Sequence, residues 1–132
     1  MSMPIKINLS QETPNPDLFD TQAEKFAHAF DDEAKKAGQS KQNKTTQLRR
    51  FYDELVSWQE RVNGDDEKFR QYEAFIRMLN AKVAYAKGRE LVGEEFANWF
   101  RDCIRETTNA RALNHFRLHF EAVLGFLKAR RG

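Results

Sequence analysis

Residues 69–86, FRQYEAFIRMLNAKVAYA, set apolar side chains at Phe69, Tyr72, Ile76, Leu79, Val83 and Ala86, in steps of 3, 4, 3, 4 and 3. That spacing lines one face of an α-helix. Asp65 and Asp66 precede the run, where acids suit the positive end of a helix dipole. The pattern predicts one amphipathic helix from about Asp65 to Gly88. A strand would alternate with a period of two, and no stretch of the chain holds that alternation long enough.

Working back from this helix, Asn63-Gly64 is a break. Before it lies a second apolar series, Leu48, Phe51, Tyr52, Leu55, Val56, Trp58 and Val62, with Thr45 or Thr46 as its cap. Residues 38–44 are polar and cationic and read as a loop. A first helix is expected from Asp17 or Asp20 to Ala37. It carries Phe19, Ala23, Phe26, Ala27, Phe30, Ala34 and Ala37, and Gly38 closes it. All 3 prolines stand at or before Pro16, so residues 1–16 are expected to form a flexible arm that folding does not need. Working forward, Phe96, Trp99, Phe100, Cys103 and Ile104 mark a fourth helix. After Thr107-Thr108-Asn109, a fifth carries Leu113, Phe116, Phe120, Val123, Leu124 and Leu127.

About five helices with short connections predict an all-α fold, a compact antiparallel bundle forming one domain over residues 17–132. Its core should include Phe51, Leu55, Ile76, Leu79, Val83, Phe100, Phe116, Phe120 and Val123. A chain of 132 residues can bury one real core. With 40% hydrophobic and 32% charged residues it reads as folded and soluble, not disordered. Cys103 is the only cysteine, so no intrachain disulfide forms. No apolar run approaches the ~20 residues a membrane helix needs, and the first nine residues do not read as a secretion signal. A cytoplasmic protein without membrane contact is the expectation.

Little points to catalysis. His115 and His119 are four apart, a spacing that can hold a metal. Two ligands do not make a site, and two partly exposed helical histidines explain them. No Gly-rich phosphate loop, zinc-protease motif or di-metal bundle motif is present. Cys103 falls in an apolar series and reads as a buried, inert thiol. No catalytic residue, metal ligand or cofactor is expected.

The cations say more. Residues 1–38 hold 4 basic against 7 acidic residues, and the remainder holds 18 against 13. Lys41, Lys44, Arg49 and Arg50 crowd the loop and the start of the second helix, where positive charge opposes the dipole. Either Arg49 pairs with Asp53 and Arg50 with Glu54, or the loop and helix start bind an anion. On the third helix Phe75, Met78, Lys82, Tyr85 and Arg89 form a second row, about a quarter-turn from the core row. Cationic stems could merely cover apolar surface there, or cations and Tyr85 could meet phosphate, sugar and base. The basic end, Lys128 to Arg131, suits the negative end of its own helix and needs no ligand.

Three stretches tip the balance. Thr45-Thr46-Gln47-Leu48-Arg49-Arg50-Phe51-Tyr52 resembles the Thr-Thr-x-Ile/Leu-Arg signature of the small subunit of type III-A CRISPR (Csm) effector complexes. Leu79 to Arg89 resembles that family's Leu-x-x-x-x-Ala-Tyr-x-x-Gly-Arg helix, and His119 to Phe126 its closing Phe-Glu-Ala helix. Order and separation also match, over about residues 40–130; residues 1–38 carry no such match. The resemblance implies a helical bundle that stacks with copies of itself into a short filament inside an antiviral ribonucleoprotein. It implies contact with guide RNA, target RNA and other effector subunits, with cleavage left to those subunits. The basic positions in its motifs are Arg49, Lys82 and Arg89, with Tyr85 beside them; Arg50 and Lys87 are plausible neighbours. Recognition of this kind reads backbone charge and not sequence. The competing readings are a helical adaptor that touches only protein and a metal-dependent bundle enzyme.

Overall fold

The computed structural model describes residues 6–38 and 41–132; Gln39 and Ser40 of the expected loop and residues 1–5 of the expected arm lie outside the described residues. After a 3₁₀ turn at Pro16–Phe19 come α1 (Thr21–Ala37), α2 (Thr45–Val62), α3 (Asp66–Arg77), α4 (Leu79–Gly88), α5 (Glu94–Glu106) and α6 (Ala110–Arg131). Among the described residues there is no strand.

Several helix ends follow local chemistry. Gly38 closes α1 in the left-handed region, as Asn63 closes α2. The Asp65 carboxylate accepts from the Glu67 and Lys68 N–H groups at the start of α3. The start of α2 departs from expectation. Lys44, not a threonine, takes the N-cap position, and no side chain caps the free N–H groups there. The expected third helix is delivered as two, α3 and α4, parted at Met78. No Gly or Pro sits at that break. α3 packs on α2 while α4 packs on α5, and one straight rod cannot serve both neighbours.

α6 is the central element, flanked by α1 and α2. The core around it is aromatic: Phe30, Phe51, Phe96, Trp99, Phe100, Phe116 and Phe120 are all buried. Trp99 meets Phe120 edge-on at 5.0 Å, and Phe116 stacks along α6 on Phe120 at 6.0 Å. Every residue expected in the core is buried. The bundle is not antiparallel throughout. Leu18, just before α1, bonds to His119, and Asp31, late in α1, bonds to Arg130. α1 therefore runs parallel to α6. α2 runs against it, with Tyr52 at Glu121 and Thr45 at Arg131.

Residues 6–16 do not behave as a free arm. Ile7 and Leu9 are buried in the core. The His115 Nδ1–H donates to the Leu9 carbonyl at 2.8 Å, and Arg111 donates to the Ser10 carbonyl at 3.0 Å. Ile7 and Leu9 supply the apolar contact, and α6 satisfies the main chain around them.

Candidate nucleic-acid interface

Asn43 organises the cationic edge, although nothing in its sequence neighbourhood singles it out. It is fully buried with φ 53°, in the turn that carries exposed Lys41 and Lys44. Its side-chain N–H group donates to the Phe30 carbonyl at 3.0 Å and to Glu33 Oε2 at 2.9 Å. Its Oδ1 accepts from the Gly93 N–H at 2.9 Å, and its own N–H donates to the Leu91 carbonyl at 2.9 Å. Two of these bonds hold the 41–44 turn against the chain that leaves α4, and the other two tie it to α1. Farther along, Lys82 of α4 pairs with Glu54 of α2. The two contact points set α4 antiparallel to the first three turns of α2.

The helical register then decides which predicted residues meet. Arg50 lies one turn before Glu54, on the same row of α2. Tyr85 and Arg89 continue the Lys82 row of α4, and the Arg89 guanidinium donates to the Tyr85 hydroxyl at 3.1 Å. Lys41, Lys44, Arg50, Lys82, Tyr85 and Arg89 thus belong to one edge. Since Glu54 is taken by Lys82, Arg50 has no partner among the described residues, and neither have Lys41 and Lys44. At the start of α2 a cleft of about 470 Å³ is lined by Lys35, Gln42, Lys44, Thr45 and Arg131 among others.

Two predicted residues stand elsewhere. Arg49 lies about 100° around α2 from Arg50. It pairs loosely with Asp53 at 3.9 Å and sits 5.7 Å over the Tyr52 ring, whose hydroxyl donates to Glu121 of α6. Lys87 lies about 200° around α4 from Tyr85, and it lines a groove between α4 and α5 with Arg101 and Asn98. Neither Arg101 nor Asn98 stands out in the sequence, because each occupies the polar side of an amphipathic helix.

The aromatic row is open. Phe75, Met78 and Tyr85 are 53%, 57% and 66% exposed, against an otherwise well-buried apolar set. Phe75 stacks on Trp58 at 5.8 Å with the planes 7° apart, and Arg61 lies 4.8 Å over the Trp58 ring. This apolar surface continues the α4 edge onto α2 and α3.

The histidines differ from expectation, since both are buried. The His119 Nε2 accepts from the Trp99 indole at 3.0 Å, so its Nδ1 carries the proton and donates to the Leu18 carbonyl at 2.6 Å. Burial holds His119 down at about 4, against the opposing effect of the Leu18 hydrogen bond. Both ring nitrogens are occupied in holding the fold. Burial pushes the Cys103 thiol well above its ordinary range, with Asp102 and Glu106 adding to the effect, so its thiolate is suppressed.

The family model described as Csm2 Type III-A matches residues 17–132. The chain belongs to this family. Its members are the small subunit of type III-A CRISPR Csm complexes. The match takes in α1, which the three sequence motifs leave out, together with the whole α2–α4 edge. No curated protein and no solved structure matches the chain. Among the described residues no helix is long and apolar enough to cross a membrane.

Proposed function

We propose that the subunit is a non-catalytic RNA-binding element of its effector complex, with the α2–α4 edge lying along the guide–target backbone in antiviral defence. The observation that carries this reading is the Asn43 junction, which draws the two motif-bearing cationic stretches onto one edge. Lys41, Lys44 and Arg50 are uncommitted there, and such cations suit phosphates. Arg50 could grip a phosphate with two parallel hydrogen bonds, whereas Lys44 acts as a point charge. Tyr85, open and oriented by Arg89, suits stacking on a sugar or base. The surface of exposed Phe75 and Met78, with half-buried Trp58 stacked against Phe75, favours a protein neighbour beside the RNA track, another subunit or a second copy in a filament. Stacked copies would lengthen the track and add avidity to weak single contacts. Cleavage belongs to other subunits in this reading, and the cytoplasm is its setting.

Charge removal tests it. Lys44→Gln/Arg50→Gln/Arg89→Gln should leave circular dichroism unchanged and weaken single-stranded RNA of any sequence. The log–log salt slope should flatten by about 0.7 for each phosphate that the variant no longer neutralises. Lys25→Gln/Lys36→Gln is the control. Lys35 would be a poor one, since it bonds to buried Asp31 at 3.0 Å. Equal losses in both variants would mean diffuse attraction and no edge. No loss in either, measured in the assembled complex, would favour an adaptor that touches only protein.

A further inference from the structure

We propose that the groove between α4 and α5 is a pocket for a single nucleotide unit, separate from the α2–α4 edge. The groove has a volume of about 400 Å³, within the range of small-ligand sites. Two cations, Lys87 and Arg101, and two amides, Asn80 and Asn98, line it, and no carboxylate does. None of these four side chains has a hydrogen-bond or ion-pair partner among the described residues. Arg101 thus differs from the half of the twelve arginines, Arg77, Arg105, Arg117 and Arg130 among them, that answer nearby carboxylates. The remaining lining is short or apolar, with Ala84, Gly88, Ala97 and the edge of Val83. A flat ring can approach such a floor closely. The chemistry divides accordingly: Lys87 and Arg101 suit a phosphate, and the amides can both donate to and accept from ribose hydroxyls or a base edge. By helical register the groove lies on the far side of α4 from Tyr85, so one strand on the edge does not fill it. The choice of a nucleotide over other phosphate esters rests on the RNA-binding reading above; the pocket itself does not.

The test is amide chemical-shift mapping on the full chain with uridine and adenosine 5′-monophosphates, inorganic phosphate, an oligouridine and a glutamate-rich peptide. The monophosphates should shift the amides of Asn80, Ala84, Lys87, Gly88, Ala97, Asn98 and Arg101. Lys87→Gln/Arg101→Gln should weaken them at least tenfold. Gly88→Leu should block them without a charge change: a Cβ there meets nothing within 4 Å, and leucine favours a helix over glycine. Lys44→Gln/Arg50→Gln/Arg89→Gln should leave them unaffected. Inorganic phosphate binding as well as the nucleotides would overturn the pocket, as would the acidic peptide shifting the groove while the nucleotides do not. The two proposals also fail separately. Oligouridine shifts confined to Lys44, Arg50 and Arg89, with a silent groove, would sink the pocket and keep the edge. Monophosphate shifts in the groove with no oligouridine response at the edge would do the reverse.

Discussion

His119 shows how far a residue's role depends on what the rest of the chain brings to it. Trp99, the Leu18 carbonyl and the edge of Phe26 surround it, and burial keeps it neutral down to about pH 4. The unfolded chain takes up that proton near pH 6.5. Between those values the unfolded state binds more protons than the folded state, so stability rises with pH and falls as pH drops. The expected loss from His119 alone is about 1.5 kcal/mol between pH 6.5 and pH 5. Denaturant melts of the parent and His119→Gln at both pH values would check this, because the substitution removes this one titrating group. Parallel losses in the two proteins would mean that His119 is not the group responsible. At this scale the core is legible in the sequence and the chemistry only partly so. Apolar spacing identifies which side of each helix turns inward, hence Phe51 or Val83. It cannot say that Arg50 faces α4 while its neighbour Arg49 faces α6, because that depends on which helix lies on each flank. Asn43 is illegible for the same reason: its four partners come from Phe30, Glu33, Leu91 and Gly93.

Helix identity is a local property, and caps and spacing specify it. What local pattern cannot supply is the break at Met78 or the docking of residues 6–16. Both are set by tertiary packing. Gly93 is a further case. The start of α5 is capped from α1, where Glu33 Oε1 accepts from the Glu95 N–H at 2.6 Å while Oε2 accepts from Asn43. A Cβ on Gly93 would overlap that carboxylate, so a larger residue there would displace the cap supplied by a residue sixty positions away in the chain. The N-terminal segment yields the prediction at this scale. Leu9 is fully buried and its carbonyl holds His115. Leu9→Ala should therefore destabilise the protein by about 2–4 kcal/mol, and deleting residues 1–11 should lower the melting temperature at least as much. A deletion variant that melts with the full chain would return this segment to the status of a dispensable arm.

Across the whole molecule, the acidic first helix and the basic last turn find each other. Asp31, 5% exposed at its side chain, accepts from Arg130 Nε at 2.8 Å, Arg131 Nε at 2.9 Å and Lys35 at 3.0 Å. Arg131 also donates to the Asn43 carbonyl at 2.8 Å, so the tie reaches the turn that organises the cationic edge. Asp31, Arg130 and Arg131 do not carry their charge as a free surface, and the overall balance of +2 conceals this paired junction. Burial by itself would raise the Asp31 carboxyl; the hydrogen bonds from Arg131, Lys35 and Arg130 outweigh it and hold the group at about 2. Because the folded value is depressed, this contribution is fully present above the ordinary carboxylate range and is lost as pH falls through about 2. Asp31→Asn keeps the shape and removes the charge, leaving Arg130 and Arg131 without their shared partner. The two arginines remain 30% and 25% exposed at their side chains. Solvent therefore relieves part of the penalty, and the expected cost is about 2–3 kcal/mol, below that of breaking a fully buried pair. Because Arg131 joins this junction to Asn43, Asp31→Asn should also loosen the 41–44 turn. Amide exchange at Asn43 and Gly93 should accelerate more than exchange in the α5–α6 core. Uniform acceleration across the chain would show that the junction stabilises the fold as a whole without positioning the edge. Unchanged stability at neutral pH would mean that the ion pairs contribute nothing beyond what water offers the separated groups.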